Sequence, residues 1–142
     1  MNEQRVKELI RTDQIKPRTS DPAKIRSLLE SVHTNSRVVL AIPLNKNSAT
    51  VIFREMYECI RQLGDAQWWR KGYEPKNHEV TMELLQTISI ENKVLLQHLP
   101  RYKSIRHDIN YRGFQATEEQ ATEIITFWNI CGKELNTNLS TK

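Results

Sequence analysis

Apolar side chains along this chain recur every three to four residues, and polar, Gly or Pro breakers divide the recurrence into helices. From Gln4 to Ile15, Val6, Leu9 and Ile10 make a short amphipathic helix. Lys16 to Asp21 is a connector broken by Pro17. Asp21 followed by Pro22 reads as a helix start, an N-cap aspartate with proline in the first turn. Ile25, Leu28, Leu29, Val32, Val38, Val39 and Ile42 then form a drifting stripe that Pro43 ends. Ser48 caps the longest uninterrupted segment, Ala49 to Lys71. Its inward set is Val51, Ile52, Met56, Cys59, Ile60 and Leu63, followed by Ala66 or Trp69. Gly64 inside this helix costs about 1 kcal/mol against alanine, so a closely packed partner is expected there. Gly72 closes the helix.

Asn77 or His78 opens the next helix, through Val80, Met82, Leu84, Leu85 and Ile88, with Ser89 as a point where it can break. Val94, Leu95, Leu96 and Leu99 continue the stripe. Pro100 either kinks this element or starts a new helix, because proline fits only the first turn. Arg101 to Tyr111 reads helical, and Gly113 stops it. Thr117 to Gln120 is a capping box that opens a last helix through Ala121, Ile124, Ile125, Phe127, Trp128 and Cys131. The polar tail from Asn136 is expected to fray. No segment alternates with the period of a strand. Connections of about five residues favour antiparallel neighbours. The expectation is an all-α, up-and-down antiparallel helical bundle with a short extra N-terminal helix. Residues 1–20 would hold that helix and its connector, 21–135 the bundle and 136–142 a flexible tail.

Composition sharpens this. The chain has 142 residues, 38% of them hydrophobic and 27% charged, which suits one polar-faced helical domain. Four glycines are too few for a turn-rich all-β design. No apolar run approaches the roughly 20 residues that span a bilayer, and the N-terminus lacks a signal peptide's apolar core. A cytoplasmic protein with no membrane partner is expected. Cys59 and Cys131 lie in apolar helical contexts and read as core thiols. No Cys or His pair has metal-ligand spacing, so neither metal nor cofactor is expected.

Charge is distributed unevenly. Lys93 to Gly113 holds five Lys or Arg (Lys93, Arg101, Lys103, Arg106, Arg112) and one acid, Asp108, while the rest of the chain has 16 of each sign. The whole net charge of +4 therefore sits in this stretch, where it would attract phosphate. On a helix, Tyr102, Arg106 and Asn110 form one stripe and Lys103, His107 and Tyr111 the next. Arg106 would grip a phosphate through its fork of donors, with Arg101 and Arg112 beside it. His107 is the candidate acid or base, and Tyr102 or Tyr111 the candidate base-stacking ring. Arg54 and Arg61, nearly two turns apart, either project toward one cleft or form salt bridges with Glu55 or Glu58. His78 reads as a helix-start residue and Tyr57 as a buried tyrosine with a satisfied hydroxyl.

The order of these signals resembles HEPN domains (higher eukaryotes and prokaryotes nucleotide-binding). The helix from Asp21 resembles the first bundle helix. Ser48 to Gly64, with its aromatic at Tyr57, resembles the second. Gly72 to His78 is similar to the family's connector, and Arg106-His-Asp-Ile-Asn-Tyr-Arg-Gly113 to its Arg-rich segment. The resemblance runs from Asp21 to Glu134. It implies a helical bundle, often a homodimer, that binds nucleotides or RNA, partners a minimal nucleotidyltransferase, or acts in a toxin–antitoxin pair. Some members are metal-independent ribonucleases with an Arg-x4-6-His motif, in which His works on the ribose hydroxyl and Arg on the phosphate. Counted from Arg106, the permitted positions hold Tyr111, Arg112 and Gly113, none of them histidine. Arg101 with His107 fits the string, as does Arg26 with His33. About one such match arises by chance in a chain of this composition. A non-catalytic nucleotide- or RNA-binding module is therefore the leading expectation. The alternatives are a ribonuclease using Arg106 or Arg101 with His107, and a protein-interaction module without nucleic acid. Trp68, Trp69 and Trp128 are the residues that would anchor a dimer.

Overall fold

The computed structural model describes residues 1–140, the side chain of Ser140 excepted. It is a mainly-α bundle of seven helices: α1 (Glu3–Arg11), α2 (Pro22–Leu40), α3 (Ala49–Arg70), α4 (His78–Leu85), α5 (Leu99–Arg112), α6 (Glu118–Phe127) and α7 (Lys133–Ser140). Most of the starts read from the sequence are built as expected. The Asp21 carboxylate accepts the Lys24 amide at 3.0 Å, with Pro22 in the first turn. Asn77 accepts the Val80 amide at 3.0 Å. Thr117 and Gln120 form the reciprocal box, each bond 3.0 Å. Ser48 differs: its hydroxyl makes no cap to α3 and donates to Pro43 O at 2.6 Å, while Asn45 Oδ1 accepts the Asn47 and Ser48 amides.

α3 is the axis of the molecule and packs against α2, α4, α5, α6 and α7. Its inner face is buried through Ile52, Phe53, Met56, Cys59, Ile60 and Leu63, whereas Val51, expected inside, is 42% exposed. Gly64 is where α4 comes closest: a Cβ there would lie 2.4 Å from Thr81 Cγ2 and 2.9 Å from Thr81 O. The missing side chain thus sets the α3–α4 spacing, and with it the placement of everything polar on the rim of that contact. A second, smaller core gathers Leu9, Ile15, Trp68, Val80 and Leu84 beneath α1, with the Trp68 indole N–H donating to Val80 O at 2.8 Å. Trp68 and Trp128 are both buried within the chain, so neither is free to anchor a partner.

Three further departures from the sequence reading have local causes. Ile15–Pro17 (β1) and Tyr73–Pro75 (β2) form a short antiparallel ribbon, Ile15 opposite Pro75 and Pro17 opposite Tyr73. Three-residue strands ending in proline carry no period. The stripe after Leu85 does not continue as one α-helix: residues 86–92 are irregular and Lys93–His98 winds as a 3-10 turn. Pro100 then sits in the first turn of α5, the placement its ring favours. The tail expected to fray from Asn136 is helical to Ser140, held by buried Leu135 and Leu139; its last two residues lie outside the described residues. No helix among the described residues is long and apolar enough to cross a membrane. Cys59 and Cys131 are free and buried, and burial pushes their thiols up to about 12 and about 11.

Candidate functional site

The basic segment is less basic in space than along the chain. Arg101 is held by Glu123 of α6, which His98 also approaches at 3.8 Å. Lys103 pairs with Glu79 of α4 at 2.8 Å. Arg112 sits 3.8 Å from Asp108, one turn back. One carboxylate from each of two neighbouring helices therefore offsets about half of the local field. Tyr102 corrects its expected role. Its ring is buried edge-to-face against Phe53 (5.9 Å) and Phe127 (5.4 Å), so no face is open to a base. His107, Asn110, Tyr111 and Arg112 are exposed along the outer side of α5.

Arg106 behaves differently. It is half-buried, and among the described residues it makes no salt bridge. Its guanidinium lies 5.7 Å from the centre of the Tyr57 ring, a cation–π contact. Around it, α3, α4 and α5 bring together a polar cluster drawn from separate parts of the sequence. Arg61 forks between two carboxylates on its own helix, Glu58 on one side and Asp65 at 2.6 Å on the other. Asp65 also accepts the Thr81 hydroxyl at 2.8 Å, a bond that the Gly64 contact makes reachable. His78, the first residue of α4, feels Arg61 and Arg106 as cations and Glu58 and Asp65 as anions.

The two carboxylates on Arg61 titrate in opposite directions. Glu58, 36% exposed, is held low mainly by the hydrogen-bonded guanidinium. Asp65, 16% exposed, is pushed up because burial outweighs the same guanidinium. His78 is pushed down first by burial and then by Arg61 and Arg106, so the imidazole stays neutral at the pH where an exposed histidine begins to charge. Burial pushes the Tyr57 phenol up to about 12 against the pull of Arg106 and Arg61. The Tyr57 hydroxyl is buried, and no group among the described residues hydrogen-bonds it. It was expected to be satisfied. A buried hydroxyl left unpaired costs about 1–3 kcal/mol.

Arg61's donors are thus taken up, while Arg106's fork and the Tyr57 hydroxyl are not. Arg106's fork, on a half-buried side chain, can donate to an anion, whereas the buried Tyr57 hydroxyl has no surface open to one; His78, in the field of the same guanidinium, can accept or supply a proton. Of the residues read from the sequence, the structure brings Arg106 into this cluster and leaves Arg101, Tyr102, His107, Asn110, Tyr111 and Arg112 outside it. The residues added are Tyr57, Glu58, Arg61, Asp65, His78 and Thr81. Their signal was present as the i, i+4, i+8 stripe Tyr57–Arg61–Asp65 beside the glycine that admits α4. Among the described residues no group of three His, Cys, Asp or Glu is arranged to hold a metal ion. Comparison with protein-family models, curated proteins and solved structures finds no match to this chain.

Proposed function

We propose that the chain is a HEPN-like helical module that binds a phosphate-bearing ligand, RNA or a nucleotide, through Arg106. One observation supports the reading: among the described residues, Arg106 is the basic residue of α5 that makes no direct ion pair. Held against the Tyr57 ring, its guanidinium is oriented before a ligand arrives, which lowers the ordering cost of binding. The module acts in the cytoplasm as a homodimer, alone, beside a minimal nucleotidyltransferase or within a toxin–antitoxin pair, as the resemblance implies. The exposed His107, whose ring contact is with Tyr111, gives little support to catalysis by the Arg106–His107 neighbours. Salt-dependent binding of RNA or nucleotide by fluorescence anisotropy tests the reading. Arg106→Ala is expected to weaken it about tenfold or more; wild-type affinity in that variant would sink the site.

A second reading, metal-independent RNA cleavage, is favoured by one feature, a neutral His78 beside Arg106. It requires RNA breakdown in chelator that yields 2′,3′-cyclic ends and stops in His78→Ala. Intact RNA after long incubation at high protein concentration rules it out.

A further inference from the structure

Ring-bearing side chains gather at the surface of α5's C-terminal end. His107 and Tyr111, one turn apart, hold ring centroids 4.8 Å from each other. Tyr111 is 72% exposed and Phe114 57%. Phe114 stays with the helix because Gly113 adopts φ +67, a conformation glycine takes without strain. The chain then reverses, and the Gly113 and Phe114 amides both donate to Asp108 O.

Area and charge decide what covers these rings. Two aromatic side chains bury about 150–250 Å² each, well short of the roughly 800 Å² per partner in a stable protein interface. The surroundings are cationic and polar rather than apolar. Arg112, 70% exposed, lies between the two rings in sequence, with Asp108 at 3.8 Å as a loose partner. Asn110 is exposed beside it, and Arg106 precedes both on the same helix. Exposed rings beside Arg112, which Asp108 holds only loosely, suit bases that stack while a phosphate meets arginine, with Arg106 further back along α5 for another phosphate of the same strand. Duplex bases have their faces covered by neighbours and cannot use such a surface.

We propose that Tyr111 and Phe114 form a base-stacking shelf, so that the ligand is an unpaired polynucleotide strand rather than a mononucleotide or a duplex. This rests on the reading of Arg106 as the phosphate contact. The test is anisotropy with one labelled RNA oligonucleotide, the DNA strand of the same sequence and the matched RNA duplex. Inorganic phosphate and adenosine monophosphate serve as competitors. The single strand is expected to bind about tenfold tighter than the duplex, and Tyr111→Ala and Phe114→Ala each to weaken strand binding about tenfold. Neither variant should alter competition by inorganic phosphate, whereas Arg106→Ala should weaken it. Equal binding of the DNA strand supports the shelf, because stacking ignores the 2′-hydroxyl. Both rings are exposed, so the variants retain the fold, which circular dichroism checks. Equal duplex affinity, or strand affinity unchanged in the Tyr111→Ala, Phe114→Ala double variant, overturns the shelf and leaves Arg106 standing. Conversion of a dimer to a monomer in that double variant, seen by sedimentation, also overturns it and makes the rings a contact between copies. Ring-dependent strand binding that ignores Arg106→Ala keeps the shelf and removes the Arg106 reading instead.

Discussion

Arg101 and Arg106 stand on one helix, five residues apart, and meet opposite fates. On the outer side of α5, Arg101 finds Glu123 and Lys103 finds Glu79. These pairs are largely solvated and contribute at most about 1 kcal/mol each. On the side turned to α3 and α4, Arg106 makes no ion pair among the described residues; it finds an aromatic ring and a network in which Arg61 holds two carboxylates, one of which, Glu58, also feels Arg106. The contrast separates charge counted along a chain from charge available in space. A cation run marks a binding surface only where carboxylates are withheld, and on α5 the cation left without an ion pair among the described residues is Arg106.

The largest expected break in this contrast is Arg61→Ala. It leaves Asp65, 16% exposed, with only Thr81 as a partner. Removing one member of a well-buried pair costs about 3–5 kcal/mol, and the partial exposure here brings the expectation to about 2–3. Arg101→Ala, by comparison, should cost under about 1 kcal/mol. Urea denaturation of the two variants decides it, and equal losses would erase the distinction between the faces. Gly64→Ala comes next. Its methyl would meet Thr81 Cγ2 at 2.4 Å and the Thr81 carbonyl at 2.9 Å, an overpacking worth about 1–3 kcal/mol. It should also push α4 away and loosen the Thr81–Asp65 bond. A Gly64→Ala protein as stable as wild type would show that the spacing does not depend on this glycine.

The same contrast explains what the sequence could reveal. The Asp21–Pro22 start, the Thr117 box and the Gly113 stop depend on residues within one turn, so they are readable without knowing the neighbours. The close approach at Gly64 was legible because an interior glycine is costly unless something fills the gap. The β1–β2 ribbon was hidden because its pairing is long-range and only Ile15 of β1 is buried. The ordered tail was hidden because its hold is two leucines, Leu135 and Leu139, in an otherwise polar stretch. For the site, Arg106 was visible as a cation on a helix. Its isolation was not, since that follows from which distant carboxylates, Glu79 and Glu123, happen to reach Lys103 and Arg101. Likewise Tyr57 was legible as buried, but the lack of a partner for its hydroxyl belongs to the packing.

Tyr57→Phe tests that point. Deleting a buried hydroxyl that no described residue bonds should raise stability by about 1 kcal/mol, seen as a higher urea midpoint. The ring that holds Arg106 is kept, so phosphate binding should stay as in wild type. Lower stability would mean that the hydroxyl has a partner in the free protein.

The smallest expected effect is the pH response of His78. Its folded pKa lies below the ordinary histidine value, through burial and then the cations Arg61 of α3 and Arg106 of α5, against the pull of Glu58 and Asp65. The unfolded chain therefore binds the proton more readily than the folded one. The stabilisation this provides is complete above about pH 7 and declines as pH falls through about 6.5 toward the lower folded value. Asp65, whose carboxyl burial pushes up, works in the opposite sense and favours the folded state as pH falls, so the His78 part is read as the difference between wild type and His78→Gln. His78→Gln should flatten the decline in urea midpoint between about pH 7 and 5.5. A slope unchanged in that variant would mean that the junction of α3, α4 and α5 does not disfavour the charged imidazole.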